Sequence, residues 1–364
     1  MVEAPPDMPR EVRVFETSIG ARIFQIPLQE FPILWGYAYL VLLDDPQDGV
    51  YKVLVDTGSG FGDSNQYLED GFQQVSKMLG QPIGLADLTH IFITHGHIDH
   101  FGGLTYVRPR TQALVGVHEL DWRNLTNYEE RLVVAARRLE VFLAEAGVPP
   151  EHHPGLIEMY KFPKSLYHSV RVDFTYEAVG MRVGPFTFLH VPGHCAGHVV
   201  IRLHDVLFCG DHVLEGISPH QSPEQLTHFT GLEHYLDSLD TLEAWSSGIC
   251  LALGGHHSPI TDLPARLEAI RQVHKERLER VLELMEEPHT IAEVSLALFG
   301  EVHAYNVLLA LEETGAHVEY LDQRGRLRIS NLAEVEKERG PVAIRYQKLD
   351  WQGEGVISVN KSTA

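Results

Sequence analysis

Residues Thr94–Gly103 read THGHIDHFGG and place three histidines and one aspartate within six consecutive positions: His95, His97, Asp99 and His100. In an extended segment alternate side chains project to the same side, so two of these imidazoles can reach one cation at about 2.0–2.1 Å if the ion is zinc. The aspartate and the last histidine follow where the chain turns, and we expect them to serve a neighbouring ion. Structural histidines are common singly, but four metal-type side chains at this spacing predict a metal centre.

The cluster comes directly after a short, almost wholly apolar run, LTHIFITH, which is typical of a strand buried on both faces. Three later segments each follow another predicted strand and carry a further metal-type side chain. PGHCAGH offers His194, CGD offers Asp211 and GGHHSP offers His256. The sequence therefore predicts one site assembled from several strand ends.

The order HxHxDH, then GH, then GD, then GH resembles the metallo-β-lactamase-fold hydrolase superfamily over about residues 12–262. The C-terminal part is similar to the winged-helix extension of one branch, to about residue 330. The resemblance implies an α+β class, with an αββα sandwich and a small C-terminal winged-helix-like domain. It also implies the following ligands: His95, His97 and His194 for a first metal; Asp99, His100 and His256 for a second; and Asp211 bridging both.

This ligand set predicts two divalent metal ions, zinc being expected, although the same carboxylates and imidazoles accept iron or manganese. Two cations that share a water lower its pKa towards neutrality, which predicts hydrolysis by a metal-bridging hydroxide. Asp99 is expected to help orient this nucleophile, and Asp211 to hold both metals. His212, beside the bridging aspartate, is predicted to contact substrate or protonate the leaving group, with a structural role as the alternative.

Other polar residues adjoin the motifs. Asp56, in VLVDTGSG, could be a turn residue, but the resemblance implies that it orients a liganding histidine. His257 stands where the family more often has glycine, so the ligand assignment of His256 could slip by one residue. His198 is interpreted as a hydrogen-bonding scaffold and Cys195 as a packing residue, while the following histidines are treated as ordinary surface or core residues: His90, His118, His152, His153 and His168.

Two β-rich stretches enclose helical ones. Short β-type runs fill Val12–Asp56, a second set lies between about residues 181 and 254, and long charged helices follow residue 262. This pattern predicts a sandwich of sheets with helices outside. We predict a hydrolase domain at 1–262 with a helical cover at about 118–176, a winged-helix-like domain at 263–330, and a C-terminal tail at 331–364.

Composition narrows the partners. The formal net charge is -21, and such a chain repels polyanions, so nucleic acid is disfavoured as a partner. The three cysteines lack CxxC spacing, no apolar run approaches the roughly 18 residues of a membrane span, and the N-terminus lacks a secretory pattern. We expect a cytoplasmic protein without a membrane partner, and the helical extension suggests a homodimer.

The motifs do not distinguish acyl hydrolases from phosphodiesterases. The predicted cover is rich in aromatic residues and nearly neutral, which favours a small-molecule acyl substrate, although these aromatics could simply pack the helices. We therefore predict hydrolysis of a carboxylic ester, lactone or thioester. The alternatives are a metal-dependent phosphodiesterase or ribonuclease, and a non-catalytic binding module stabilised by metal.

Overall fold

The computed structural model describes residues 11–349. The strands are β1 (Arg13–Glu16), β2 (Arg22–Phe31), β3 (Leu34–Asp45), β4 (Gly49–Val55), β5 (His90–Phe92), β6 (Leu114–Val117), β7 (Phe174–Thr175), β8 (Arg182–Val183), β9 (Phe186–His190), β10 (Val199–Leu203), β11 (Val206–Gly210), β12 (Leu251–Gly254), β13 (Leu327–Ile329) and β14 (Tyr346–Lys348). They agree with the β-rich stretches predicted from the sequence.

The α-helices are α1 (Ser64–Leu79), α2 (Ile98–Phe101), α3 (Leu104–Val107), α4 (Glu119–Thr126), α5 (Tyr128–Glu145), α6 (His153–Lys164), α7 (Leu232–Trp245), α8 (Leu263–Leu284), α9 (Ile291–Phe299), α10 (Asn306–Gln323) and α11 (Leu332–Lys337). Short 3₁₀ turns occupy Leu85–Asp87, Arg108–Arg110, Pro150–His152 and Glu177–Val179. Among these described helices, none is long and apolar enough to cross a lipid bilayer.

The chain divides into two compact units. The first comprises the described residues up to Tyr128 together with Tyr167–Pro219 and Thr241–Leu267, and the second comprises Glu129–Leu166, His220–Asp240 and the described residues from Glu268 onward. This division follows packing, and it groups part of the predicted cover with the C-terminal helices. The boundaries at 262 and 330 stay predictions of domain organisation, and residues 350–364 of the predicted tail lie outside the described part of the chain.

The first unit contains two mixed sheets. Strands β1 to β7 form one sheet in sequence order, antiparallel as far as β4 and parallel from β4 to β7. The other sheet has the order β12-β11-β10-β9-β8, in which only the β11 and β12 pair is parallel. Parallel pairing brings the carboxyl ends of successive strands to one edge of a sheet, which is where the metal-type residues follow.

Apolar side chains from both sheets pack into one core. Val41 and Val53 come from the first sheet, Ile201 and Phe208 from the second, and all four are fully buried. On the outer faces, Gly71 of α1 lies directly against Ile26 of β2, and the end of α7 accepts a hydrogen bond from β10. The α+β class and the αββα sandwich predicted from the sequence are confirmed.

The second unit is mainly helical, with the small antiparallel sheet of β13 and β14. The sequence pattern Thr290-x-x-Glu293 predicts a capping box, and the structure has it. Glu293 N donates to Thr290 Oγ1 at 3.2 Å, while Thr290 N donates to Glu293 Oε2 at 2.7 Å. Helices α8 to α10 and the two strands form a helical region with a small sheet, as predicted; its assignment as a winged helix stays a prediction.

A buried histidine pair links α8 to α10 within the second unit. His317 Nδ1 donates to the backbone oxygen of Glu313 at 2.7 Å, so His317 Nε2 is left to accept from His274 Nδ1 at 3.1 Å. The Glu313 carboxylate receives Arg277 and the backbone N–H of Gln221. Although His274, His317 and Glu313 lie close enough to share an ion, Arg277 already neutralises the carboxylate, so we interpret the group as a structural network.

Candidate metal centre

The predicted metal-type residues follow strand ends of the first unit. The stretch from His95 to His100 comes after β5, His194 lies in the connection between β9 and β10, Asp211 follows β11, and His256 follows β12. The structure brings all seven predicted ligands into two groups of potential donor atoms. The groups are His95, His97 and His194, and Asp99, His100, Asp211 and His256.

The first group consists of imidazoles. His95 Nε2 lies 3.0 Å from His97 Nδ1, and the His194 ring centre is 4.7 Å from that of His97. The three donor atoms all lie within 4.8 Å of one another. Burial lowers the pKa of His97 to about 3 and the pKa of His95 well below its usual range, and the neighbouring imidazoles add to the shift for both. Both rings are therefore neutral and keep a lone pair for a cation.

The second group combines imidazoles with carboxylates. Asp211 Oδ1 lies 3.5 Å from His100 Nε2, and Asp211 Oδ2 lies 3.4 Å from His256 Nε2 and 4.0 Å from His194 Nε2. The Asp211 carboxylate thus faces both groups. Asp99 Oδ2 is 3.5 Å from His256 Nε2, and its side chain is 16% exposed, so this carboxylate retains access from outside.

The second group has a negative electrostatic environment. Burial by itself lowers the pKa of His100 and His256, but the nearby Asp211 and Asp99 carboxylates outweigh burial and raise the pKa of both rings well above the usual value. Burial conversely raises the pKa of Asp99 and Asp211, yet the same two histidines hold both carboxyl pKa values below the usual range. The arrangement stabilises positive charge at this position.

Two buried polar atoms of this group point to a cation. His100 Nε2 and Asp211 Oδ1 are buried and lie 3.5 Å from each other, and neither makes a hydrogen bond among the described residues. Buried polar atoms normally have partners, and an unpartnered one costs about 1–3 kcal/mol. Imidazole and carboxylate donors are those of zinc, iron and manganese sites, so the residues present fit divalent metal ions.

Asp56 supports the second group from behind. Its Oδ2 accepts from His100 Nδ1 at 2.8 Å and from Thr94 Oγ1 at 2.8 Å, while its Oδ1 accepts from Thr94 N at 2.8 Å. Because a carboxylate only accepts, His100 carries its proton on Nδ1 and presents Nε2 to the site. The backbone of Asp56 has φ of 59°, a left-handed conformation that aspartate tolerates better than most residues. The structure thus gives Asp56 the orienting role that the resemblance implies.

The two adjacent histidines, His256 and His257, have different environments in the structure. His256 is buried, and its Nδ1 lies 2.6 Å from the Trp35 backbone oxygen, which turns Nε2 towards the carboxylates. His257 is exposed and has φ of 63°, which explains why glycine suits this position. His198 accepts from the backbone N–H of Asp211 at 3.0 Å and stacks on His95, in agreement with a scaffold role.

Two neighbours of the predicted ligands are buried. His212 has no exposed surface, an environment that agrees with the structural alternative, and its predicted contact with substrate or leaving group stays a prediction. Cys195 is buried, and its thiol donates to Asp121 at 3.2 Å. Burial and the Asp121 charge raise the pKa of this thiol well above its usual value, which agrees with a packing role.

Two residues near the centre, Asp121 and Glu30, were not singled out from the sequence. Asp121 follows β6, so the strand-end rule could have found it. The side chain of Glu30 lies near the site. Burial, reinforced by the charge of Asp99, raises the pKa of its carboxyl group to about 8. Tyr167 is one of the aromatics of the predicted cover, but its position against Gly102, in the turn that follows His100, is a contact that no local pattern indicates.

The aromatics of the predicted cover have different environments. Tyr176 is fully buried in the sandwich core, with its ring stacked on Phe188 at 4.0 Å. Phe142 is buried against the backbone of α10 at Gly315 in the second unit, whereas Phe162 is 64% exposed. For Tyr176 and Phe142 the packing alternative is therefore correct.

Comparison with known proteins agrees with this geometry. A probable metallo-hydrolase of Bacillus subtilis (strain 168), YqjP, is 25% identical over 283 residues, covering 74% of this chain and 84% of its own. The crystal structure of a metallo-beta-lactamase family protein from Thermus thermophilus, TTHA1429, matches with a TM-score of 0.68 and 28% identity, covering 90% of this chain and 98% of that one.

A beta-lactamase domain protein from Burkholderia ambifaria shares the fold, with a TM-score of 0.65 and 22% identity over 92% of this chain and 94% of its own. The sequence profile of the Metallo-beta-lactamase superfamily matches residues 36–254, which include all seven predicted ligands except His256. The chain therefore belongs to the metallo-beta-lactamase superfamily.

Proposed function

We propose that this chain is a dinuclear metal-dependent hydrolase of a carboxylic ester, lactone or thioester. The observation that carries the proposal is the position of Asp211, whose two carboxylate oxygens face the three-histidine group and the carboxylate-rich group. A structural zinc site needs only four protein ligands and leaves no open position. Seven donors in two adjoining groups support a pair of ions better.

Two divalent ions bound here would supply an activated water at neutral pH and polarise the oxygen of the bond to be cleaved. The side chains have separate tasks. Asp211 would hold both ions, and Asp99, which keeps some exposure, would accept a hydrogen bond from the attacking water and so orient it. Asp56 and the Trp35 backbone oxygen fix the ring orientations of His100 and His256.

The net charge of the chain supports an acyl substrate. The chain as a whole carries a formal charge of -21. Such a charge repels a polyanion as it approaches the protein. A neutral ester, lactone or thioester does not encounter this repulsion.

The second candidate function is that of a metal-dependent phosphodiesterase or ribonuclease. The helical C-terminal region with its small sheet is the feature that favours it. From residue 263 to 364 the chain has 13 basic and 17 acidic residues, however, which weakens the case for phosphate neutralisation. A cytoplasmic location and a homodimer stay predictions.

The test is a metal analysis of the purified protein coupled to a substrate panel of lactones, thioesters, aryl esters, phosphodiesters and single-stranded RNA. We expect about two equivalents of metal, turnover of one acyl class, and loss of turnover both after chelation and in Asp99→Asn. Full acyl turnover after complete metal removal would overturn the proposal. Cleavage of RNA with steep salt dependence would favour the nuclease, and inertness towards the whole panel would favour a binding module.

A further inference from the structure

Asp121 connects two separate loops of the metal centre. It lies in the first turn of α4 and has no exposed surface. Its Oδ2 accepts the backbone N–H of Gly96 at 2.7 Å, and the Cys195 thiol donates to the same carboxylate. The backbone N–H of Gly197 and the Asn124 side chain complete its donors.

The residues that donate to Asp121 adjoin the histidines of the first group in the chain. Gly96 stands between His95 and His97, while Cys195 directly follows His194. One carboxylate therefore holds both loops that carry the three imidazoles of the first group. Asp56, in contrast, bonds to the His100 ring of the second group, so each group has its own supporting aspartate.

Both loops approach Asp121 closely. A Cβ atom built at Gly197 would lie 2.6 Å from Asp121 Cγ and 2.7 Å from its backbone nitrogen, so a side chain there would push the loop away from the carboxylate. One built at Gly96 would lie 2.9 Å from Asn124 Nδ2 and 3.0 Å from Asp121 Cγ, which is a tight fit. The approach to Asp121 thus explains the glycine in CAGH and favours the one in HGH.

We propose that Asp121 is a positioning residue that sets the separation of the two loops and thereby the affinity of the three-histidine group for its cation. The inference rests on the proposed function in so far as this group binds metal. The Asp121 carboxylate is suited to this role because it only accepts hydrogen bonds and has enough lone pairs for all of its donors. An amide in its place would turn an NH₂ towards at least one N–H or S–H donor.

The test is metal binding by apoprotein, measured with zinc against a competing chromophoric chelator and with cobalt by its visible spectrum. His194→Ala and His256→Ala define the signatures of the first and second groups. In Asp121→Asn we expect the affinity at the first group to fall about 10–100-fold, with the second group retained, as for other outer-shell partners of metal ligands. In Asp56→Asn the loss should fall on the second group instead.

Asp173→Asn is the matched control for folding. Its carboxylate also ties elements of the first unit together, since it accepts the Val115 N–H at 2.9 Å and pairs with Arg108, but it contacts neither metal loop. We expect a lower Tm with both metal affinities retained. Should Asp121→Asn fail to fold, Cys195→Ser, which keeps a donor to Asp121, should bind the first ion more tightly than Cys195→Ala.

Equal loss of both ions in Asp121→Asn, or no loss at all, would overturn the positioning role even if the wild type hydrolyses acyl compounds. Equal first-ion affinity in the Cys195 serine and alanine variants would do the same. If the wild type binds two ions and Asp121→Asn loses the first, the role stands even when no substrate is turned over. A wild type that binds no ion would overturn this inference together with the proposed function.

Discussion

His100 donates from Nδ1 to Asp56 Oδ2 over 2.8 Å, and both side chains are almost completely buried. This bond ties the position of a predicted ligand to a residue that lies outside both donor groups, on the loop after β4. The candidate metal centre is therefore supported by the strand next to the one that carries its principal motif.

Replacing Asp56 by asparagine should weaken the second ion about 10–100-fold, because the amide no longer holds the His100 ring in one tautomer and orientation. Zinc titration of apoprotein against a competing chelator measures the change. Thr94→Val removes one of the other donors to Asp56 and should have a smaller effect. Retention of the second ion at wild-type affinity would contradict the orienting role.

Replacing Asp211 by asparagine should lower kcat/KM on the acyl substrate at least about 100-fold, since several kcal/mol of transition-state stabilisation depend on where the ions are held. Asp205→Asn is the matched control, because Asp205 precedes β11 at one end and Asp211 follows it at the other. That control should retain kcat/KM. Comparable losses in the two variants would show that the effect arises from the strand and not from the bridging carboxylate.

Replacing Tyr176 tests whether its ring packs the core or binds substrate. Its hydroxyl lies 3.0 Å from the Ile93 oxygen and 2.8 Å from the Gly116 oxygen, deep in the core. We expect Tyr176→Phe to cost about 1 kcal/mol of unfolding free energy, and Tyr176→Ala about 3–5 kcal/mol, measured by urea denaturation. KM should be unchanged in the phenylalanine variant. A large rise in KM with unchanged stability would instead assign the ring to the substrate.

The His274 and His317 pair predicts acid sensitivity. Burial, with Arg277 adding to it, lowers the pKa of His317 to about 3, and burial and His317 lower that of His274. The unfolded chain therefore binds more protons than the folded one below pH 6.5. Stability is fully present above that pH and is lost as the pH falls, by about 2 kcal/mol between pH 6.5 and 5 for a fully shifted histidine.

In His317→Asn the unfolding free energy should be lower at pH 8 but should depend less on pH between 6.5 and 5. Urea denaturation across this range measures the slope. The exposed His152 is the control, and its replacement by asparagine should leave the profile of the wild type intact. An unchanged slope in His317→Asn would show that other groups cause the acid sensitivity.

Sequence patterns predict much of this molecule because its predicted ligands are concentrated in short motifs at strand ends. The sandwich of sheets, the capping box at Thr290 and the meeting of the metal-type residues at strand ends follow from local periodicity and spacing, whereas their division into two groups follows from the family resemblance. Asp121 and Tyr167 escape such reasoning because their roles depend on which distant loops pack against them. The aromatic content of residues 118–176 likewise could not distinguish Tyr176 in the core from the exposed Phe162.

The left-handed backbone at position 56 restricts evolution and engineering of the site in a specific way. Glycine, asparagine and aspartate adopt such a conformation most readily, and of these only aspartate has a charged oxygen pair to offer His100. Glycine would relax the backbone but remove the support, whereas glutamate would supply a charge on a strained backbone. A library randomised at this codon and selected for metal loading should therefore return aspartate almost alone, whereas selection for folding alone should return all three.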